Sequence, residues 1–222
     1  MDITRNQVER LIDASLGATP APTPAQVEDF VRKTLSYDFA ATLTEPFFIK
    51  GNAEILHEAG KQLVSVIAYP LGGMTHEAKF FQARQALKDG ADELDVSMDV
   101  SAFRSGKYDA VKEDLKPFVD LIKGEGKLMK MIYFASLLTE DEQLRAAELA
   151  IELQIPFLKT NTGFGFVTTT DQVRLITSRY GDDIKVMTSG GVRTKEDAIA
   201  MIEAGASRIA TSSPFKIADS FS

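Results

Sequence analysis

The sequence contains no cysteine. Disulfide bonds, thiolate metal ligands and a cysteine nucleophile are therefore excluded together. The two histidines, His57 and His76, fall in segments patterned like solvated helices, and they are too few for a histidine-rich metal cluster. We expect no metal and no other cofactor, so covalent chemistry has to come from another type of side chain.

Long apolar runs are missing as well. No stretch of about 18 apolar residues occurs, and the charged start from Met1 to Arg10 has no apolar core like that of a signal peptide. We therefore expect no membrane contact and a cytoplasmic location. The net charge of −7 is spread along the chain, which argues against a nucleic-acid partner. An anionic ligand would need a locally built site.

What is present is an ordinary globular composition, with 44% hydrophobic and 26% charged residues in a chain of 222. Barrels of this size commonly form one unit, and neither a linker nor a low-complexity segment divides the chain. We predict a single domain over residues 1–222.

Short apolar segments alternate with helical ones. Helix-start signals stand at Thr23-Pro24 and at Thr139, whose hydroxyl has capping-box spacing to Glu142. Such alternation predicts a parallel sheet covered on both faces, either doubly wound or closed. A count of about eight strands favours closure, an α/β fold of the (β/α)8 barrel type with a short N-terminal helix. The predicted strands are Leu11–Ala14, Phe39–Leu43, Gln62–Ala68, Glu93–Ser97, Lys127–Phe134, Pro156–Thr160, Ile184–Thr188 and Arg208–Thr211.

Lys159 is the first candidate for chemistry, because it ends the apolar strand that begins at Pro156. Its amine is expected inside the barrel mouth, where apolar walls lower the pKa of an ammonium and favour a nucleophilic amine. The alternative is a lysine that emerges at the strand end to reach solvent.

Lys130 interrupts an otherwise apolar strand from Leu128 to Phe134. Two inward lysines on neighbouring strands would lower the pKa of one another, which prepares an amine for attack on a carbonyl. The competing interpretation is that Lys130 only neutralises a carboxylate inside the barrel.

Asp95 is the candidate acid or base. Strand alternation places Glu93, Asp95 and Ser97 on one face, which we expect to line the barrel interior. A carboxylate there could pair with a lysine or transfer protons through water. Asp13 has the same two interpretations with weaker local support.

Two Gly/Ser stretches, Ser189–Thr194 and Thr211–Pro214, follow the seventh and eighth predicted strands. Barrels commonly bind phosphate with these two loops through backbone N–H groups. Glycines also simply make tight turns, but the pair in these positions favours a phosphate site.

Taken together, these residues resemble the deoxyribose-phosphate aldolase family over nearly the whole chain. The motifs of Lys159 and Gly190 are the most specific. The matching stretches, in family order, are Leu11-Ile12-Asp13, Tyr69–Gly72, Gly90–Asp95, Ser105–Val111, Lys159–Gly165, Ser189–Thr194 and Gly205–Ser213.

The resemblance implies a class I aldolase, a carbon–carbon lyase of carbohydrate and deoxyribonucleotide breakdown, in which acetaldehyde and glyceraldehyde 3-phosphate join reversibly through an enamine to give 2-deoxyribose 5-phosphate. It implies that Lys159 forms the Schiff base, that Asp95 works as acid and base through a water, and that Lys130 and Asp13 belong to the surrounding polar network. It also implies a homodimer. The substrate and its phosphate are expected on Ser15, Thr162, Gly163, Gly190, Gly191, Ser212 and Ser213.

One departure from the family pattern concerns the site directly. The family normally has a second active-site lysine two residues before Ser189, where this chain has Met187. That lysine is expected to lower the pKa of the nucleophile, so its loss should shrink the neutral fraction of Lys159, by about tenfold per pKa unit. Lys130 is expected to compensate in part, and Lys185 is assigned to the strand face opposite Met187.

Three further stretches differ from the family, namely Thr42–Pro46, Met98-Asp99-Val100 and Tyr133-Phe134-Ala135. All lie near the expected mouth, so we predict a reshaped pocket.

Besides an active aldolase, the sequence leaves open a sugar-phosphate-binding barrel with weak or altered turnover, motivated by Met187. It also leaves open an isomerase or epimerase that uses Asp95 without a covalent adduct.

Overall fold

The computed structural model describes residues 3–16 and 19–221, and within them eight parallel strands close into a barrel in chain order. Each strand pairs with the next, and β8 returns to pair with β1. The predicted (β/α)8 fold is confirmed. The strands are β1 Ile12–Ser15, β2 Ala41–Thr44, β3 Leu63–Ile67, β4 Glu93–Ser97, β5 Leu128–Ile132, β6 Phe157–Lys159, β7 Lys185–Ser189 and β8 Arg208–Thr211.

Helices connect the strands, and the short α1 precedes β1 as predicted. Capping boxes at Thr23 and Thr139 start α2 and α7, in agreement with the sequence signals. None of the helices within the described ranges is both long and apolar enough to cross a membrane. The helices are α1 Arg5–Glu9, α2 Pro24–Thr34, α3 Ile49–Glu58, α4 His76–Lys88, α5 Val100–Arg104, α6 Tyr108–Gly124, α7 Glu140–Glu152, α8 Thr170–Tyr180, α9 Lys195–Glu203 and α10 Pro214–Asp219.

β5 is shorter than predicted. The apolar pattern suggested a strand as far as Phe134, but pairing stops at Ile132. Phe134 adopts a left-handed conformation with φ of 60°, and a 3-10 turn, Ala135–Leu137, follows it. A strand cannot continue through a left-handed residue, and hydrophobicity alone does not reveal that reversal.

Apolar side chains pack on both faces of the sheet. The outward-facing side chains, such as Leu94 and Val96, join the helices in one large apolar core. The barrel interior holds smaller apolar clusters, one around Leu43 and Val66 and another around Met187. Between these clusters the interior is occupied by charged side chains, and these form the site described next.

Candidate active site

Lys159 is the last residue of β6, and its side chain points into the barrel rather than to solvent. Only 2% of the residue is exposed. Its Nζ forms a short hydrogen-bonded ion pair with Oδ2 of Asp95 on β4, two strands away. The alternative of a strand-end lysine that reaches bulk water therefore does not hold.

Asp95 joins two lysines. Its other oxygen, Oδ1, accepts a hydrogen bond from Nζ of Lys130 at 2.9 Å, while Oδ2 faces Lys159. Burial alone would raise the pKa of this carboxyl, but the charges of Lys130 and Lys159 outweigh it and lower the pKa to about 2. Asp95 is therefore a carboxylate at neutral pH.

Lys130 is surrounded by carboxylates. Besides Asp95, its Nζ lies 2.5 Å from Glu93 Oε2 and 3.3 Å from Asp13 Oδ2, and the residue is fully buried. Burial would lower the pKa of its ammonium, yet the three negative charges raise it well above the usual range. Lys130 thus remains charged beside the carboxylates, and the expectation that a second inward lysine would lower its pKa was wrong.

Arg208 on β8 completes this network, and sequence reasoning did not assign it a role. Its Nε donates to Asp13 Oδ1 at 2.7 Å, and one terminal nitrogen donates to Glu93 Oε1 at 2.9 Å. A signal was present, since alternation in Arg208-Ile209-Ala210 puts the arginine on the interior face. The network therefore contains three carboxylates and three cations, with Lys159 counted as protonated.

Above Lys159 a cavity opens among the loops at the carboxyl ends of the strands. Six of the seven residues predicted to bind substrate or phosphate line it together with Lys159, namely Ser15, Thr162, Gly163, Gly190, Gly191 and Ser212. Ser213 is not among the lining residues, and its backbone N–H is already donated to Thr211 Oγ1 at 2.9 Å. Asp95, Lys130 and Asp13 are fully buried side chains of the barrel interior.

The loop after β7 can hold only glycine at two positions. Gly190 and Gly191 have φ of 96° and 92°, a region that side chains disfavour. A Cβ on Gly190 would lie 2.6 Å from the carbonyl oxygen of Phe166, and one on Gly191 would lie 2.4 Å from Val167 Cγ1. These glycines allow close contact between this loop and the loop after β6, so both strands present backbone at the same wall of the cavity.

Comparison with known proteins identifies the family. The chain is 42% identical over 201 residues to deoxyribose-phosphate aldolase of Thermococcus gammatolerans, which covers 88% of this chain and 89% of that protein. The enzyme of the same name from Streptococcus suis is 42% identical over 196 residues, covering 87% and 88%. The chain belongs to the deoxyribose-phosphate aldolase family. It is accordingly an aldolase, a carbon–carbon lyase.

Solved structures agree with the deoxyribose-phosphate aldolase assignment. An aldolase described as QR15 superposes with a TM-score of 0.90 at 39% identity, covering 96% of this chain and 95% of its own. Deoxyribose-phosphate aldolase from Aeropyrum pernix, described as a unique tetramer, gives 0.92 at 29% identity, covering 98% and 92%.

A different family model, that of dihydroorotate dehydrogenase, matches residues 166–222. This segment is about a quarter of the chain and contains β7, β8 and their Gly/Ser loops. The match is therefore confined to the part of the barrel where phosphate groups are commonly bound, and it does not extend to Lys159 or Asp95.

Met187 occupies the position at which the family resemblance implies a second lysine. It pairs with Lys159 across β6 and β7, and it is fully buried beside Phe157 and Ala210. The assignment of Lys185 to the opposite face was wrong, because residues two apart on a strand share a face. Lys185 is separated from Lys159 by its position along the barrel axis. It is exposed at the start of β7, and its Nζ lies 5.6 Å from the centre of the Phe157 ring.

The other departures from the aldolase family pattern have different structural roles. Asp99 caps α5 by accepting from the Ala102 N–H at 2.9 Å, Tyr133 is buried in the core between sheet and helices, and Thr44 is buried at the end of β2. Phe134 is buried in the same core, and its ring contacts the Phe166 ring at 4.9 Å between centroids. A reshaped pocket stays a prediction, because Thr44, Tyr133 and Phe134 are not among the residues that line the cavity.

Arg193 and Tyr69 are among the cavity-lining residues that were not predicted, although both lie in motifs that carried the resemblance. Arg193 contributes a cation beside the Gly190 loop. Tyr69 follows β3, and its hydroxyl donates a short hydrogen bond to the backbone carbonyl of Thr162. Nothing in one sequence pairs residues 93 positions apart, so the Tyr69 contact had no local signal.

Proposed function

We propose that the protein is a class I aldolase that cleaves and forms 2-deoxyribose 5-phosphate, or a similar small phosphorylated sugar, through a Schiff base on Lys159. One observation carries the proposal: the Lys159 amine is buried in the barrel mouth, hydrogen-bonded to Asp95, beside glycine loops suited to a phosphate. The family to which the chain belongs supports the same chemistry.

In the proposed cleavage, the neutral Lys159 amine attacks the substrate aldehyde carbon to give a carbinolamine, which takes up a proton from solvent and loses water to leave an iminium. The hydroxyl on the third carbon then gives its proton to a water held by Asp95. Its C–O bond becomes the carbonyl of the departing phosphorylated aldehyde, and the electrons of the broken C2–C3 bond move to the iminium, leaving an enamine. Protonation of the enamine carbon and hydrolysis release acetaldehyde and regenerate the amine.

The charges of the network support these roles. A carboxylate whose pKa is about 2 is ionised at neutral pH, so Asp95 is available to accept a hydrogen bond from the water that takes the proton. Lys130 holds Asp95 from the other side and does not compete as nucleophile, since its raised pKa keeps it protonated. When Lys159 becomes an iminium it keeps a positive charge, so the balance with Asp95 is preserved.

The substrate phosphate is proposed to bind on the loops after β6, β7 and β8. The positive-φ glycines Gly163, Gly190 and Gly191 bring backbone close to the ligand, and Arg193 adds a positive charge on the same side. With the phosphate held there and the aldehyde at Lys159, a five-carbon chain would lie across the cavity.

The experiment is an assay of acetaldehyde release from 2-deoxyribose 5-phosphate by the wild type and by Lys159→Met. We expect release by the wild type and a loss of at least about 1000-fold in the variant, because the covalent route is removed. Full activity of Lys159→Met would contradict the proposal and favour proton transfer by Asp95 alone.

We also expect a homodimer, which light scattering of the purified protein would measure.

A further inference from the structure

We propose that Tyr69 is a further catalytic residue, whose hydroxyl donates a hydrogen bond to the oxygen on the third carbon of the substrate. That carbon is one end of the C2–C3 bond that breaks. The inference rests on the proposed aldolase function of Lys159, and it assigns the recognition of that oxygen to a group outside the lysine–carboxylate network.

The ring of Tyr69 is held on two sides. It packs against the interior apolar cluster that includes Leu43 and Val66, and it contacts the Phe164 ring at 5.6 Å between centroids. Its residue lines the same cavity as Lys159 and Thr162. Packing on both sides fixes the ring, so the hydroxyl is held at the cavity.

The hydroxyl keeps its proton. Burial raises the pKa of Tyr69, and the negative charge of Asp95 raises it further. Tyr69 is therefore a neutral hydrogen-bond donor across the pH range of a working enzyme. Asp95, in contrast, is ionised and accepts hydrogen bonds. One substrate hydroxyl can therefore receive a hydrogen bond from Tyr69 and donate its own proton toward Asp95.

A second polar group belongs to the same place. Thr162 is a lining residue of the cavity, and its Oγ1 is a buried atom that has no hydrogen-bond partner within the described protein. The Tyr69 hydroxyl is donated to the carbonyl of this same residue. Because the Tyr69 hydroxyl has a single proton, a ligand oxygen placed beside it would replace the Thr162 carbonyl as its acceptor when substrate binds.

The chemistry identifies which substrate oxygen would be bound. In the direction of bond formation, negative charge develops on the acceptor aldehyde oxygen, and Asp95 would oppose it. A neutral donor aimed at that oxygen stabilises the charge, as donors in an oxyanion hole do. Acetaldehyde attached to Lys159 has no such oxygen, so Tyr69 should matter for cleavage and addition but not for activation of acetaldehyde.

This difference allows a direct test with Tyr69→Phe. Two rates are measured in each protein: cleavage of 2-deoxyribose 5-phosphate, and exchange of the methyl hydrogens of acetaldehyde with deuterium oxide. We expect kcat for cleavage to fall about 100-fold, the usual cost of one such donor, with exchange unchanged. Tyr133→Phe is the matched control, because it removes a fully buried hydroxyl that has no hydrogen-bond partner among residues 3–16 and 19–221 and lies in the sheet–helix core. It should change neither rate.

The outcomes are distinguishable. Equal losses of cleavage and exchange in Tyr69→Phe would mean that the hydroxyl only holds the mouth together, which overturns the inference. Undiminished cleavage in the variant overturns it as well. If the wild type shows neither exchange nor cleavage, the proposed function itself fails and the inference falls with it.

Discussion

Lys159 and Met187 are paired residues on neighbouring strands, so a thioether and not an ammonium lies beside the lysine proposed as nucleophile. The interior network contains three carboxylates and three cations only if Lys159 is protonated. The proposed Schiff-base mechanism needs the same amine without its proton. In this chain the loss of that proton leaves one uncompensated negative charge inside the barrel, and a fourth cation would remove the imbalance.

The first prediction is therefore that Met187→Lys increases cleavage of 2-deoxyribose 5-phosphate. A gain of about tenfold corresponds to about 1.4 kcal/mol of electrostatic assistance to deprotonation. Met187→Leu, which conserves apolar volume, is the control and should show no gain. Thermal unfolding of both variants checks that they fold. A folded Met187→Lys enzyme that is no faster would indicate that the site was rebuilt for different chemistry.

The second prediction concerns Lys130. Removal of one partner from a buried ion network leaves uncompensated charge, so Lys130→Met should lower the free energy of unfolding by about 3 to 5 kcal/mol. The exposed pair of Lys112 and Glu152, 2.7 Å apart, provides the control. Lys112→Met should cost less than about 1 kcal/mol, because solvent screens that pair. Urea unfolding at neutral pH measures both, and equal costs would contradict the role given to Lys130.

The third prediction is a pH dependence of stability from Asp95. Its pKa is lowered from 3.8 to about 2 in the folded protein, so its contribution is complete above about pH 4. The contribution is lost as the pH falls from about 4 to about 2, and it is on the order of 2 kcal/mol. The difference in unfolding free energy between wild type and Asp95→Asn should therefore shrink across that window. An equivalent comparison with Asp182→Asn, which changes an exposed carboxylate, should give no such trend.

Much of this fold is predictable because its signals are local. The alternation of Glu93, Asp95 and Ser97 is a property of five adjacent residues, and the structure places their polar face inside the barrel. The capping boxes at Thr23 and Thr139 are equally local.

The site is less predictable because its contacts join distant segments. Arg208 meets Asp13 across 195 positions, where barrel closure brings β8 beside β1. The protonation state of Lys130 and the position of the Tyr69 hydroxyl likewise depend on residues from other parts of the barrel. Sequence reasoning named most of the charged residues, but which of them keep their protons follows only from the distances between them.

The fourth prediction tests the phosphate loops. A methyl group at Gly190 would collide with the Phe166 carbonyl, so Gly190→Ala should displace the wall shared by the two loops. We expect KM for 2-deoxyribose 5-phosphate to rise at least about tenfold, equivalent to one lost charge-assisted hydrogen bond. KM for unphosphorylated 2-deoxyribose should change much less. Gly73→Ala, at a mouth position with open space around it, is the control. A similar KM increase for both substrates would count against a phosphate role.

The most direct test of the whole account is chemical trapping at Lys159. Wild-type protein is incubated with acetaldehyde and reduced with borohydride, and the modified peptide is located by mass spectrometry. We expect one two-carbon adduct on Lys159. Lys130 should stay unmodified, because the three carboxylates around it keep its amine protonated. An unmodified Lys159, or an adduct on another lysine instead, would contradict it.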